Sequence, residues 1–101
     1  MEMNLPSLRV AGEIDINRTR ELTESLNELV GATDRAAIID VSGVTFMDST
    51  GLGALVKTNE RLRRQSRRLI LVCPPGPVLE LLDATGLRER FVIQGAPAAV
   101  A

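Results

Sequence analysis

The sequence predicts an α/β domain built on a largely parallel sheet. Three observations carry that expectation. Short apolar runs of strand length, AAIIDVS (36–42) and RLILVC (68–73), alternate along the chain with segments whose apolar residues recur at helical spacing. The runs look too apolar to have a solvent face, the habit of strands covered by crossover helices. The helical segments carry their own punctuation, with Gly31 and Gly86 as stops and Pro77 suited to a first turn.

Taken in order, SLRVAGEIDI (7–16) places Leu8, Val10, Ile14 and Ile16 in phase and reads as a strand. NRTRELTESLNELVG (17–31) puts Leu22, Leu26, Leu29 and Val30 on one helical face, with Asn17 as its cap. AAIIDVS follows as a strand buried on both faces. A second helix then repeats Leu52, Leu55, Val56, Asn59 and Leu62, with Lys57, Glu60, Arg61, Arg63 and Arg64 on its polar side. RLILVC is a strand stopped by Pro74 and Pro75, and Cys73 ends it as a small apolar side chain. Val78, Leu81 and Leu82 mark one face of a third helix, and RFVIQG (90–95) is a short last strand.

Composition narrows the chemistry. A chain of 101 residues, 45% hydrophobic, fits one soluble globular domain. There is no His, which removes the usual general base near neutral pH and the commonest metal ligand. One Cys forms no internal disulfide, in keeping with a reducing cytoplasm. Neither a signal peptide nor an apolar run of bilayer-spanning length is visible, so no membrane insertion is expected. Two Phe and no Trp or Tyr leave little for base stacking. Charge is split: residues 1–50 carry −5 and residues 51–101 carry +4. The arginines at 61, 63, 64, 67 and 68 are accounted for by solvation and by the dipole of the helix they close, so no direct nucleic-acid partner is expected.

The stretch FMDSTGLG (46–53) stands between a strand and a helix and carries more than a turn needs. The hydrolase elbow is Gly-x-Ser-x-Gly with a His partner, whereas this chain has Met47-Asp48-Ser49-Thr50-Gly51 and no His. A dinucleotide fingerprint needs a third glycine where Val56 stands, and a phosphate loop needs Gly before Lys57. Nor does CPPGPVLELL (73–82) supply the Arg of a cysteine phosphatase. Capping by Asp48 or Ser49 explains part of the stretch. It leaves Gly51 and Gly53, which cost roughly 1 kcal/mol each in a helix interior and are explained by close approach of another backbone or a partner. A hydroxyl at a helix N-terminus is also a well-placed phosphate acceptor, since the free N–H groups and the dipole tolerate the added charge.

IIDVSGVTFMDSTGLGALV (38–56) closely resembles the signature of STAS domains, in particular bacterial anti-sigma factor antagonists. AGEIDINRTREL (11–22) and PPGPVLELLDATGLRERFVI (74–93) resemble the family's opening and closing segments, so the likeness covers most of residues 8–94 in order. It implies one STAS domain over 1–101, with a core at about 8–94, a short N-terminal stub and a flexible apolar tail, GAPAAVA. It implies a mostly parallel sheet of four to five strands with about four helices. It implies a cytoplasmic binding protein, not an enzyme, with no cofactor and no metal. Its partners would be an anti-sigma factor with serine kinase activity and a serine phosphatase. Binding the first frees a sigma factor, and phosphorylation of Ser49 ends that binding, with Thr50 the second-choice acceptor. Asp15, Asn17, Asp48, Ser49, Thr50, Gly51 and Leu52 would form the partner surface. Many family members begin with a longer hairpin, whereas only Met1 to Ser7 precede the Leu8 strand here. In that respect the chain resembles shorter STAS subunits of bacterial lipid-transport ATPases, which carry a similar turn without phosphorylation.

Overall fold

The computed structural model describes residues 5–32 and 34–96. Four strands, β1 (Ser7–Ile14), β2 (Ala37–Met47), β3 (Leu69–Val72) and β4 (Val92–Gln94), lie in sequential order, each parallel to its neighbour. Helices α1 (Ile16–Gly31), α2 (Ser49–Arg64) and α3 (Pro77–Thr85) make the crossovers, and a 3-10 turn, Arg88–Arg90, leads into β4. The α/β fold matches the STAS expectation, with three α-helices among the described residues in place of about four. No strand precedes β1 among the described residues; of the predicted stub (1–7) and tail (95–101), residues 1–4 and 97–101 lie outside the described residues, and Ser7 already belongs to β1.

Right-handed crossovers in this strand order place all three helices on one face of the sheet. Burial follows. Ala37, Ile39 and Val41 of β2 are buried, while Ile38 and Asp40 between them are only partly covered. The expectation of a strand buried on both faces is corrected here: the helices form a single layer, so only alternate residues meet them. The core is aliphatic. Ile14, Leu26, Ile39, Leu55, Leu62, Leu69, Leu71 and Leu82 are all but inaccessible, and truncating one such Leu to Ala costs about 2–5 kcal/mol.

β2 is longer than its apolar run, and its register against β1 explains why. Arg9 pairs with Asp40 and Ala11 with Gly43; Gly12 pairs with Val44 and Glu13 with Phe46. At each step β2 carries one extra residue, a pair of bulges. Buried positions after Val41 therefore come three apart, at Val44 and Met47. Strict alternation is lost, and the strand hides from a period-two reading.

The helix ends have local causes. Gly86 takes the left-handed conformation (φ 72°) that closes α3, and Pro77 occupies its first turn. The inward face of α3 is Val78, Leu79 and Leu82, with Leu81 partly covered, so the predicted face is rotated slightly. Asn59 is buried among apolar neighbours because its side-chain amide donates to the Arg90 carbonyl (2.9 Å), tying α2 to the turn before β4.

Candidate functional site

Parallel crossovers bring the C-terminal ends of β1 and β2 and the N-termini of α1 and α2 to one edge. The Asp48 amide donates to the Ile14 carbonyl (3.1 Å), so the two strand-to-helix turns are joined by their backbones. Asp48 is the N-cap of α2, with extended backbone (φ −97°, ψ −176°). Its Oδ1 accepts from the amides of Thr50 (3.0 Å) and Gly51 (3.2 Å) and from the Thr50 hydroxyl. The Thr50 hydroxyl bond, with further help from the amides of Gly51, Thr50 and Ile16, holds the Asp48 carboxyl below its ordinary range against a smaller opposing effect of burial.

That network separates the two candidate acceptors. The Thr50 hydroxyl is half-buried, donates to Asp48 and lies 2.8 Å from the hydroxyl of Thr19 on α1. Ser49, the first residue of α2, is exposed and its hydroxyl has no hydrogen bond to another described residue. Position N1 points it to solvent, beside the positive end of the helix.

The two glycines differ in kind. A Cβ on Gly51 would stand 2.8 Å from Ile14 Cγ2 and 3.0 Å from Met47 Cγ. The first turn of α2 thus sits directly on the ends of β1 and β2. A Cβ on Gly53 would meet nothing within 4 Å. Gly53 instead opens a groove of about 450 Å³ between α1 and α2, with Thr19 and Thr50 at one end and Lys57 and Arg61 toward the other. Gly51 and Leu52, also expected in the partner surface, are buried here, because this turn packs inward.

Asp15 caps α1, accepting from the Asn17 amide (3.0 Å). The expected cap, Asn17, is instead the donor, and its side chain is free to project from the first turn. Ile16, read from the sequence as an inward strand residue, begins α1 and is 70% exposed. Phe46, at the end of β2, is 49% exposed. Both large apolar side chains border the Asp48–Ser49 turn and were not among the sequence candidates. The available signal was the likeness of Asp15-Ile16-Asn17 to Asp48-Ser49-Thr50, each following a buried strand residue.

Cys73 is buried at the end of β3. Burial pushes its thiol up to about 11; Arg88 lowers it and Asp83 raises it, both by smaller amounts. A neutral, inert thiol is the result. Among the described residues no group of three or more His, Cys, Asp or Glu side chains could hold a metal, and no helix is long and apolar enough to cross a membrane.

A single helical layer on a sequential parallel sheet, with an acid-capped turn presenting a free hydroxyl, defines a small α/β module whose candidate site lies at the strand-to-helix turns. The chain belongs to the STAS domain family, whose model matches residues 4–98. It is 30% identical over 82 residues to anti-sigma-B factor antagonists of Staphylococcus aureus, covering 81% of this chain and 76% of theirs. It is also 34% identical over 76 residues to the probable sulfate transporter 3.4 of Arabidopsis thaliana. That match takes in 75% of this chain but only 12% of the transporter, so it is a likeness between domains. The crystal structure of an anti-sigma factor antagonist from Mycobacterium paratuberculosis superposes with a TM-score of 0.80 at 26% identity, over 97% of this chain and 82% of that one.

Proposed function

We propose that this chain is a cytoplasmic anti-sigma factor antagonist, a binding protein that engages an anti-sigma factor with serine kinase activity and is switched off by phosphorylation of Ser49. A serine phosphatase would restore it. The observation that carries this reading is the contrast between adjacent hydroxyls: Ser49 is exposed and unengaged, while Thr50 is held by Asp48. The antagonists among its relatives supply the partner class. Asp15, Asn17 and Asp48 surround the acceptor, and Ile16 and Phe46 add the apolar contact area on which an interface core depends.

Phosphorylation at N1 leaves the fold intact, because the helix N-terminus accommodates the charge. It places roughly −1.5 to −2 charges beside Asp48 and Ile16. On a partly desolvated contact this weakens the complex by about two orders of magnitude. Ser49→Ala binds and resists modification, Ser49→Asp falls between the unmodified and phosphorylated forms, and Thr50→Ala is still phosphorylated. The kinase is recovered from lysate of the source cells with the unmodified protein, and calorimetry then compares the forms. Equal affinity of the phosphorylated and unmodified proteins overturns the switch and favours a subunit of a lipid-transport complex.

A further inference from the structure

The far end of α2 carries a feature the Ser49 edge does not explain. Ser66 adopts the left-handed conformation (φ 56°), and the Arg67 amide returns to the Leu62 carbonyl (2.8 Å). This reversal brings the end of α2 and the start of β3 against the 3-10 turn and the start of β4. Between them lies a pocket of about 290 Å³ lined by Arg63, Arg67, Arg68 and Arg90, with Glu89 the only acid on its wall. Glu60, outside the lining, is shared between Arg90 (3.3 Å) and Arg63 (3.8 Å). Arg68 has no ion pair among the described residues. Arg67 donates through all three of its nitrogens, to the carbonyls of Arg35 (3.0 Å) and Val30 (3.1 Å) and to Gln65 Oε1 (2.8 Å), so it shapes the wall and adds charge without a free fork. On the other side, the Asn59 amide fixes the backbone of Arg90.

We propose that this arginine-lined pocket binds a phosphate-type dianion. Guanidinium forks match phosphate oxygens in pairs, a geometry that lysine does not offer. Four arginines line this small pocket against Glu89 on its wall and Glu60 beside it, which leaves a local excess of positive charge; the nitrogens of Arg67 are already engaged, so Arg68, joined by Arg63 and Arg90, supplies the paired donors. Phe91 is buried and gives bases no face to stack on, so the site suits a phosphate group in place of a nucleic-acid strand. The pocket stands one length of α2, roughly 24 Å, from Ser49, and the proposal does not depend on the switch.

The test is calorimetric titration of the full chain with pyrophosphate at low salt. Saturable one-to-one binding is expected. Arg68→Ala should weaken it about tenfold, whereas Arg64→Ala, which removes the same charge beside the pocket but outside its lining, should change it by less than about twofold. Glu60→Gln should tighten it, by releasing Arg63 and Arg90. A second arm sediments the protein with vesicles of phosphatidic acid in phosphatidylcholine. Retention that Arg68→Ala abolishes assigns the site to a lipid headgroup; pyrophosphate binding without retention assigns it to a free phosphate compound. Absence of saturable pyrophosphate binding, or equal losses for Arg64→Ala and Arg68→Ala, overturns the site.

Discussion

The turn after β1 and the turn after β2 share a plan and differ in what they present. Asp15 stands where Asp48 stands, Ile16 where Ser49, Asn17 where Thr50, and Arg18 where Gly51. Both caps are extended, at φ −112°, ψ −174° and φ −97°, ψ −176°, and both accept from the amide two residues on. Beyond the cap they part. The first turn shows solvent an isoleucine, and Arg18 reaches back to the carbonyls of Ala11 and Glu13 (3.0 Å each). The second shows a serine, and a glycine lets its helix sit against Ile14 and Met47. The common acid is therefore what the fold asks of a strand-to-helix turn, and the residues after it are where function is free to vary.

The sharpest division between the turns is the space at their fourth residue. Gly51→Ala should cost about 1–3 kcal/mol in chemical denaturation, because fully buried Ile14 has little room to yield. Substitution of Arg18 by Ala at the matching site should cost well under half of that, and equal losses would break the comparison. Next come the caps. Asp48→Ala removes an acceptor serving two amides and a hydroxyl, and should cost up to about 2 kcal/mol, against about 0.5–1 for Asp15→Ala. Urea midpoints of the two variants measure this.

Smaller is the gain from Gly53→Ala, up to about 1 kcal/mol, since the new methyl meets nothing and the helix gains propensity. A loss of stability would show that the groove is not open. Smallest is a pH effect. Because the folded-state pKa of Asp48 is depressed, its contribution is present above the ordinary value of 3.8 and is lost as pH falls through the folded value. Asp48→Asn should flatten the acid limb of the stability profile, measured by urea unfolding in steps below pH 5.

The parts of the molecule that repeat at one period were legible in the sequence. Helix α2 announced itself through Leu52, Leu55, Asn59 and Leu62, and α3 through Pro77 and Gly86. Ser49 was placed at a helix start by the same pattern. What was missed has specific causes. Ile16 keeps the phase of Ile14, so the alternation runs on past the true end of β1, and only the hydrogen bond to Asp15 shows that a helix has begun. The last five residues of β2 lost their alternation to two bulges. Gly51 and Gly53 look alike in one dimension; their difference rests on Ile14 and Met47, which are distant or ambiguous until the helix is docked. The arginine pocket was read as a solvated helix end because Arg90 and Glu60 meet only through the fold.

The paired bulges carry a further consequence. From Arg9 to Ile14, β1 advances five residues, while β2 advances seven, from Asp40 to Met47. That surplus of two residues turns Met47 to the core and brings the Asp48 amide to the Ile14 carbonyl. Within this stretch Ser42 and Thr45 are exposed, so many side chains will serve at those two positions. The number of residues will not vary so freely: one deletion would move Met47 to the opposite face and carry the Asp48 cap away from the Ile14 carbonyl. The candidate site of this domain is held by a count of residues, and it should tolerate exchange of letters far better than a change of length.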